Sequence, residues 1–148
     1  MAQAAEADIV THVPRDKALD LAVVVKTAAD GRMAEPKLAM AEAQSKPLTW
    51  GAIQQLLLQP AIIYTIIQAR RRSVGDAKYE NGRDSVMAMH NAGVTVLAGT
   101  DAHTEPTSPF EVLQGETLHR ELEWFVDPGM TTIEALQAAT TCCGMLRA

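Results

Sequence analysis

Residues 94–103 read VTVLAGTDAH, a β-branched, apolar run that ends on a carboxylate close to a histidine. The run follows Ala92-Gly93, a helix-stop pair, so the chain is expected to leave a helix, cross a buried strand at 94–97 and then turn. A continuous apolar strand suits a parallel sheet covered on both faces. Parallel neighbours cannot be joined by a hairpin, so this strand commits the chain to helical crossovers and an α/β fold. Gly99 is expected to turn the backbone sharply. That turn makes Thr100, Asp101 and His103 available at the carboxyl end of the strand, where α/β folds gather ligands and catalytic groups. Asp101 offers oxygens that accept a proton or bind a cation. Gly-Thr-Asp also has the make-up of a turn followed by an Asx helix cap.

The remaining segments alternate in the same way. Residues 2–7 suit the last turns of a helix, 9–13 a short strand, and Pro14 opens the loop that leaves it. Asp16 is expected to cap a helix carrying Leu19, 21–25 and Ala28, which stops at Asp30-Gly31. A strand at 33–36 and a helical or lid segment at 38–43 follow. Residues 79–92 are predicted helical, 104–115 form a loop with Pro106, Pro109 and Gly115, and 116–126 form a helix with Leu118, Leu122 and Phe125 on one side. Thr131 and Glu134 have the spacing of a capping box ahead of a last helix.

Between them, residues 49–78 read as a helical insertion: Ile53, 56–58, Pro60, 62–64, Ile66 and Ile67, then Arg70, Arg71 and Arg72. Gln54, Gln55, Gln59 and Pro60 interrupt it, and no run reaches the roughly 20 apolar residues a bilayer span needs. No membrane span is therefore expected. A net charge of -5 argues against nucleic acid as the main partner, which requires a basic face. The chain opens without a charged-then-apolar signal segment, so a cytoplasmic location is the default expectation. Cys142 and Cys143 are adjacent and cannot staple distant segments through one disulfide between them.

Three stretches together resemble the C-terminal part of the amidohydrolase superfamily, in the branch of imidazolonepropionase-like and Xaa-Pro dipeptidase-like metal hydrolases. They are VTVLAGTDA at 94–102, GETLHRELEWFVDPGMTTIEALQAAT at 115–140 and IVTHVP at 9–14. The resemblance implies a partial (β/α) TIM-type barrel over 1–148, interrupted by the insertion at 49–78 and ending in a divergent tail at 141–148. With at most three strands, the chain is too short for a closed barrel of about 250 residues. The resemblance also implies that Asp101 is a metal ligand and the acceptor of the attacking water's proton, and that His12 is a second metal ligand. Zinc is the expected metal, and a small-molecule amide or dipeptide the expected substrate of full-length relatives.

The departures from that pattern are specific. The H-x-H pair, the lysine and the further histidine of the family are not supplied by this chain. His90, inside a predicted helix, and His119, on the helix after the loop, read as packing or hydrogen-bonding residues. His103 is a candidate for orienting Asp101 or touching substrate, and equally a surface histidine. Gly115 after Gln114, Pro128 and Thr132 stand where relatives commonly carry other residues. Two ligands leave most of a metal's coordination to water, so the chain alone is expected to be a weak binder without turnover. A different class of function remains open: a non-catalytic interaction module that docks on another chain, or forms a homo-oligomer, through its hydrophobic insertion.

Overall fold

The computed structural model describes residues 7–14, 16–45, 58, 79–103 and 112–141. Among these the elements run β1 (Ile9–Thr11), α1 (Leu21–Ala29), β2 (Met33–Glu35), α2 (Leu38–Ser45), α3 (Tyr79–Asn91), β3 (Thr95–Val96), α4 (Glu116–Val126) and α5 (Thr132–Ala139). The insertion expected at 49–78 lies outside the described residues apart from the exposed Leu58, as do the tail beyond 141 and the loop residues 104–111. The helix end expected at 2–7 also lies outside them, except for Ala7.

The strands form one parallel sheet in the order β1-β2-β3, so neighbours in sequence are neighbours in space. Val10, Ala34 and Val96 stand in one register row. Because side chains alternate across a strand, that row shares a face, and Ala34 and Val96 are buried there against Val24, Leu38, Val86, Met89 and Phe125 of the helices. Met33, Thr95 and Glu35 belong to the alternate positions and are half-buried. Ala34 and Val96 are thus buried on one face, and on the other Leu97 is buried while Met33, Glu35 and Thr95 are half-buried. The regular pairing of β3 is also shorter than the apolar run: only Thr95 and Val96 make it, with Leu97 donating to the Ala34 carbonyl at 2.8 Å.

Asp20, not Asp16, caps α1. Its carboxylate accepts from Ala22 N–H at 3.0 Å. The reason is a contact far away in sequence: Leu19 N–H donates to Ser85 Oγ on α3 at 2.9 Å, which ties 16–19 down as an approach segment instead of a first helical turn. Helix ends behave as their residues dictate. Gly31 and Gly93 take the positive φ that ends α1 and α3, and Gly93 N–H returns to the His90 carbonyl at 2.9 Å. The capping box of α5 forms in full, with Thr131 Oγ1 accepting from Glu134 N–H and the Glu134 carboxylate accepting from Thr131 N–H at 2.8 Å.

Helix α3 is the hub of the helical layer, touching α1, α2, α4 and β3. Phe125 of α4 is fully buried among Met89, Met130, Ala135 and Ala138. Phe125→Ala is expected to cost about 3–5 kcal/mol of stability through the cavity it leaves, and Thr131→Ala about 1 kcal/mol through the lost cap. Urea unfolding reads both, and the cap variant should shift the midpoint with an unchanged slope.

Candidate functional site

Each strand leads to a polar residue in the left-handed region at its carboxyl end: His12 (φ 61) after β1, Lys37 (φ 58) after β2 and Asp101 (φ 54) after β3. These are the described non-glycine residues with positive φ. A side chain there costs on the order of 1–3 kcal/mol and persists only where the surroundings hold it. Three such residues along one sheet edge mark that rim as the place where the backbone is most constrained.

Glu35 knits the rim together. Its carbonyl accepts from His12 N–H at 3.0 Å, and its carboxylate lies over Gly99 in the space a Cβ would fill. Gly99 has no positive φ, so its smallness makes room for Glu35, and the left-handed position falls to Asp101 instead. Lys37 Nζ lies 3.5 Å from Asp101 Oδ1, with the lysine side chain 13% exposed and the aspartate 51%. At that exposure the pair is worth less than about 1 kcal/mol; it orients the two groups more than it stabilises the fold. Thr100 Oγ1 takes the Ala102 N–H at 3.2 Å, and the segment that an Asx cap at Asp101 would lead into, 104–111, lies outside the described residues.

His103 touches Asp101 through the backbone. Its Nδ1 lies 3.0 Å from the Asp101 carbonyl oxygen, a donor position when Nδ1 carries the proton, and its own N–H bonds to the Val112 carbonyl. His12 is exposed, and no hydrogen bond or ion pair joins it to Asp101 among the described residues. His90 lies 3.7 Å from Glu134, whose carboxyl is held below its ordinary range chiefly by the Thr131 hydroxyl and backbone N–H. His119 lines an open groove of about 810 Å³ with Trp124, Val126 and Leu136, and no rim residue lines that groove.

Behind the rim sits a group that the helical pattern concealed. Glu121 on α4 is fully buried and accepts from Leu38 N–H at 2.9 Å and Ala39 N–H at 2.6 Å, the first turn of α2. Burial pushes its carboxyl up to about 7. The N–H groups of Ala39, Leu38 and Lys37 oppose that rise, and the nearby Glu35 charge adds to it. A second link runs the other way: Glu42 of α2 accepts from Arg120 at 2.9 and 3.2 Å and from Trp124 Nε1 at 2.9 Å. The guanidinium also stacks 4.1 Å over the Trp124 ring.

Sequence reasoning named His12, Asp101 and His103 as candidates and did not name Glu35, Lys37 or Glu121, which the structure places on or behind the same rim. For Glu121 the available signal was its phase, four residues before Phe125 on the same helix face. As a metal site the rim fits in kind and not in number. Imidazole and carboxylate are zinc donors, yet among the described residues no group of three or more His, Cys, Asp or Glu converges on one point. No described helix is long and apolar enough to cross a membrane. Compared with protein-family models, curated proteins and solved structures, the chain matches none.

Glu121 sets an expected pH dependence. Its folded value of about 7 lies above the unfolded carboxyl near 4.5, so the folded chain holds a proton that the unfolded chain has already released. Stability from this group is complete below about 4.5 and falls as pH rises through 7, by about 3 kcal/mol in all. Asp30, held low chiefly by its hydrogen bond from Lys26, acts in the opposite sense and only at more acid pH. Urea midpoints are therefore expected to fall between pH 5 and 8 in the native chain and to stay nearly flat in Glu121→Gln. An equal slope in both chains would remove Glu121 as the cause.

Proposed function

We propose that this chain supplies part of the strand-end wall of a metal-dependent hydrolase of carbon–nitrogen bonds, of the amidohydrolase type. The observation that carries the reading is the rim itself: parallel strands adjacent in chain order, with His12 at the end of the first and Asp101 at the end of the third. Consecutive strands of a (β/α) barrel have this order, and catalytic groups of barrels lie at the carboxyl ends. The half-buried sheet face carrying Met33, Glu35 and Thr95 is the face that further strands of a barrel would cover.

In this reading Asp101 accepts a proton at Oδ, the Lys37 ammonium keeps that carboxylate oriented, and His103 steadies its backbone. His12 and Asp101 would hold a divalent ion, zinc by donor type. Such an ion supplies hydroxide near neutral pH and polarises a substrate carbonyl. The substrate class is a small amide or dipeptide. Two donors leave most of the coordination to water, so zinc is expected to bind more weakly than about 1 µM. His12→Ala and Asp101→Asn should each weaken it further, by roughly tenfold. Calorimetric titration checks this, and zinc binding indifferent to both substitutions would sink the reading.

The exposed Leu21, Ile133 and Leu136 on α1 and α5 favour a second reading, an interaction module that pairs with another chain. Sedimentation velocity tests it. A monomer at every concentration would discard self-association.

A further inference from the structure

We propose that Glu121 is a positioning residue for the rim: from inside the helical layer its carboxylate holds the start of α2 so that Lys37 reaches Asp101, and loss of its negative charge releases that pair.

Helix α2 has an awkward start. Lys37 occupies the N-cap position of α2, since its carbonyl accepts the Ala41 N–H at 3.1 Å. N-cap residues ordinarily have extended dihedrals and a side-chain oxygen that takes a free N–H. Lys37 has neither. Its φ is 58, it carries no acceptor, and its positive charge stands at the positive end of the helix dipole. The first turn of α2 contains no acidic residue to compensate.

Glu121 provides from α4 what this start lacks: an acceptor for Leu38 and Ala39 N–H and a negative charge beside Lys37 N–H. Lys37 can then turn its side chain away from the helix end and toward Asp101 Oδ1. Among the described residues Glu121 is the carboxylate bonded to this end, with the Glu35 charge close enough to act on it. Glu35 of β2 lies over Gly99, Glu42 of α2 is taken by Arg120 and Trp124, and Glu123 by Arg120. On α3, Arg83 faces Asp84 and Asp127, and His90 faces Glu134. A protonated Glu121 presents a hydroxyl where an acceptor is needed, so one N–H loses its partner. The left-handed lysine then has nothing to offset its strain, and it relaxes toward an ordinary cap geometry that carries Nζ off Asp101.

The inference concerns the same rim as the proposed hydrolase site but is read without zinc or substrate, so either can fail while the other stands. The experiment is NMR on the isotopically labelled full chain between pH 5.5 and 8.5. The Leu38 and Ala39 amide protons report the Glu121 charge, and Asp101 ¹³Cγ reports the pair. The expected result is an inflection of Asp101 ¹³Cγ that shares the midpoint of the Leu38 and Ala39 shifts and is lost in Glu121→Gln. Any pH response of Asp101 ¹³Cγ that persists in that variant arises elsewhere and is not the coupling. Lys37→Met, which leaves the buried carboxylate in place, should keep the Leu38 and Ala39 inflection while removing its counterpart at Asp101. It decides the matter even if Glu121→Gln does not fold. Amide shifts without a matched Asp101 response in the native chain, or an Asp101 inflection that survives Lys37→Met, would overturn the proposal.

Discussion

A buried carboxylate is the contact on which the arrangement of this chain turns. Desolvating Glu121 is costly, and the consecutive N–H groups that converge on it at the start of α2 offset only part of that cost. The bond is one half of a reciprocal pair. α4 provides an acceptor for the backbone of α2, while α2 provides, through Glu42, an acceptor for the Arg120 and Trp124 side chains of α4. Two attachments at different points along α2 fix its axial position as well as its distance from α4. A purely apolar contact, being non-directional, would leave the helix freer to slide.

Because α2 begins directly after β2, that fixation extends to the strand ends. Glu35 closes the strand with its carbonyl bonded to His12 and its side chain over Gly99, and Lys37 then turns left-handed into the helix. Strain at His12, Lys37 and Asp101 is concentrated where the sheet meets its loops, while the strands themselves pair regularly. Such an edge resists small readjustments. His12 and Val13 are tied to it by backbone hydrogen bonds to the Glu35 and Pro36 carbonyls, and Asp101 by the Lys37 side chain.

The parts of this structure that were legible in the sequence are those governed by neighbours a few residues apart. Thr131 and Glu134 form their capping box within four residues, Gly31 and Gly93 take a positive φ two residues past the helices they stop, and the apolar run at 94–97 supplies the parallel strand Thr95–Val96. The parts that were not legible depend on partners far along the chain. Asp16 and Asp20 are equally good caps locally, and the choice between them is made by Leu19 meeting Ser85. Glu121 and Glu123 differ little as letters, yet one is fully buried while the other pairs with Arg120. At the rim, Asp101 was named from the strand signal before it and His12 from the resemblance carried by IVTHVP. Lys37 and Glu35 were not, because their roles exist only once β2 is set between the other two strands.

That central position of β2 bears on what the rim can do. Strands in a sheet stand about 4.8 Å apart, so the ends of β1 and β3 are separated by roughly 10 Å, with the end of β2 between them. The residues filling that gap are an acid and a base of opposite charge, Glu35 and Lys37. The ammonium already stands against Asp101. Any cationic ligand drawn to the Asp101 carboxylate must therefore displace or share Lys37, whereas an anionic or carbonyl-bearing ligand meets a positive charge already in place. The rim is thus biased by its middle strand, and the bias is set by how firmly α2 is held from behind.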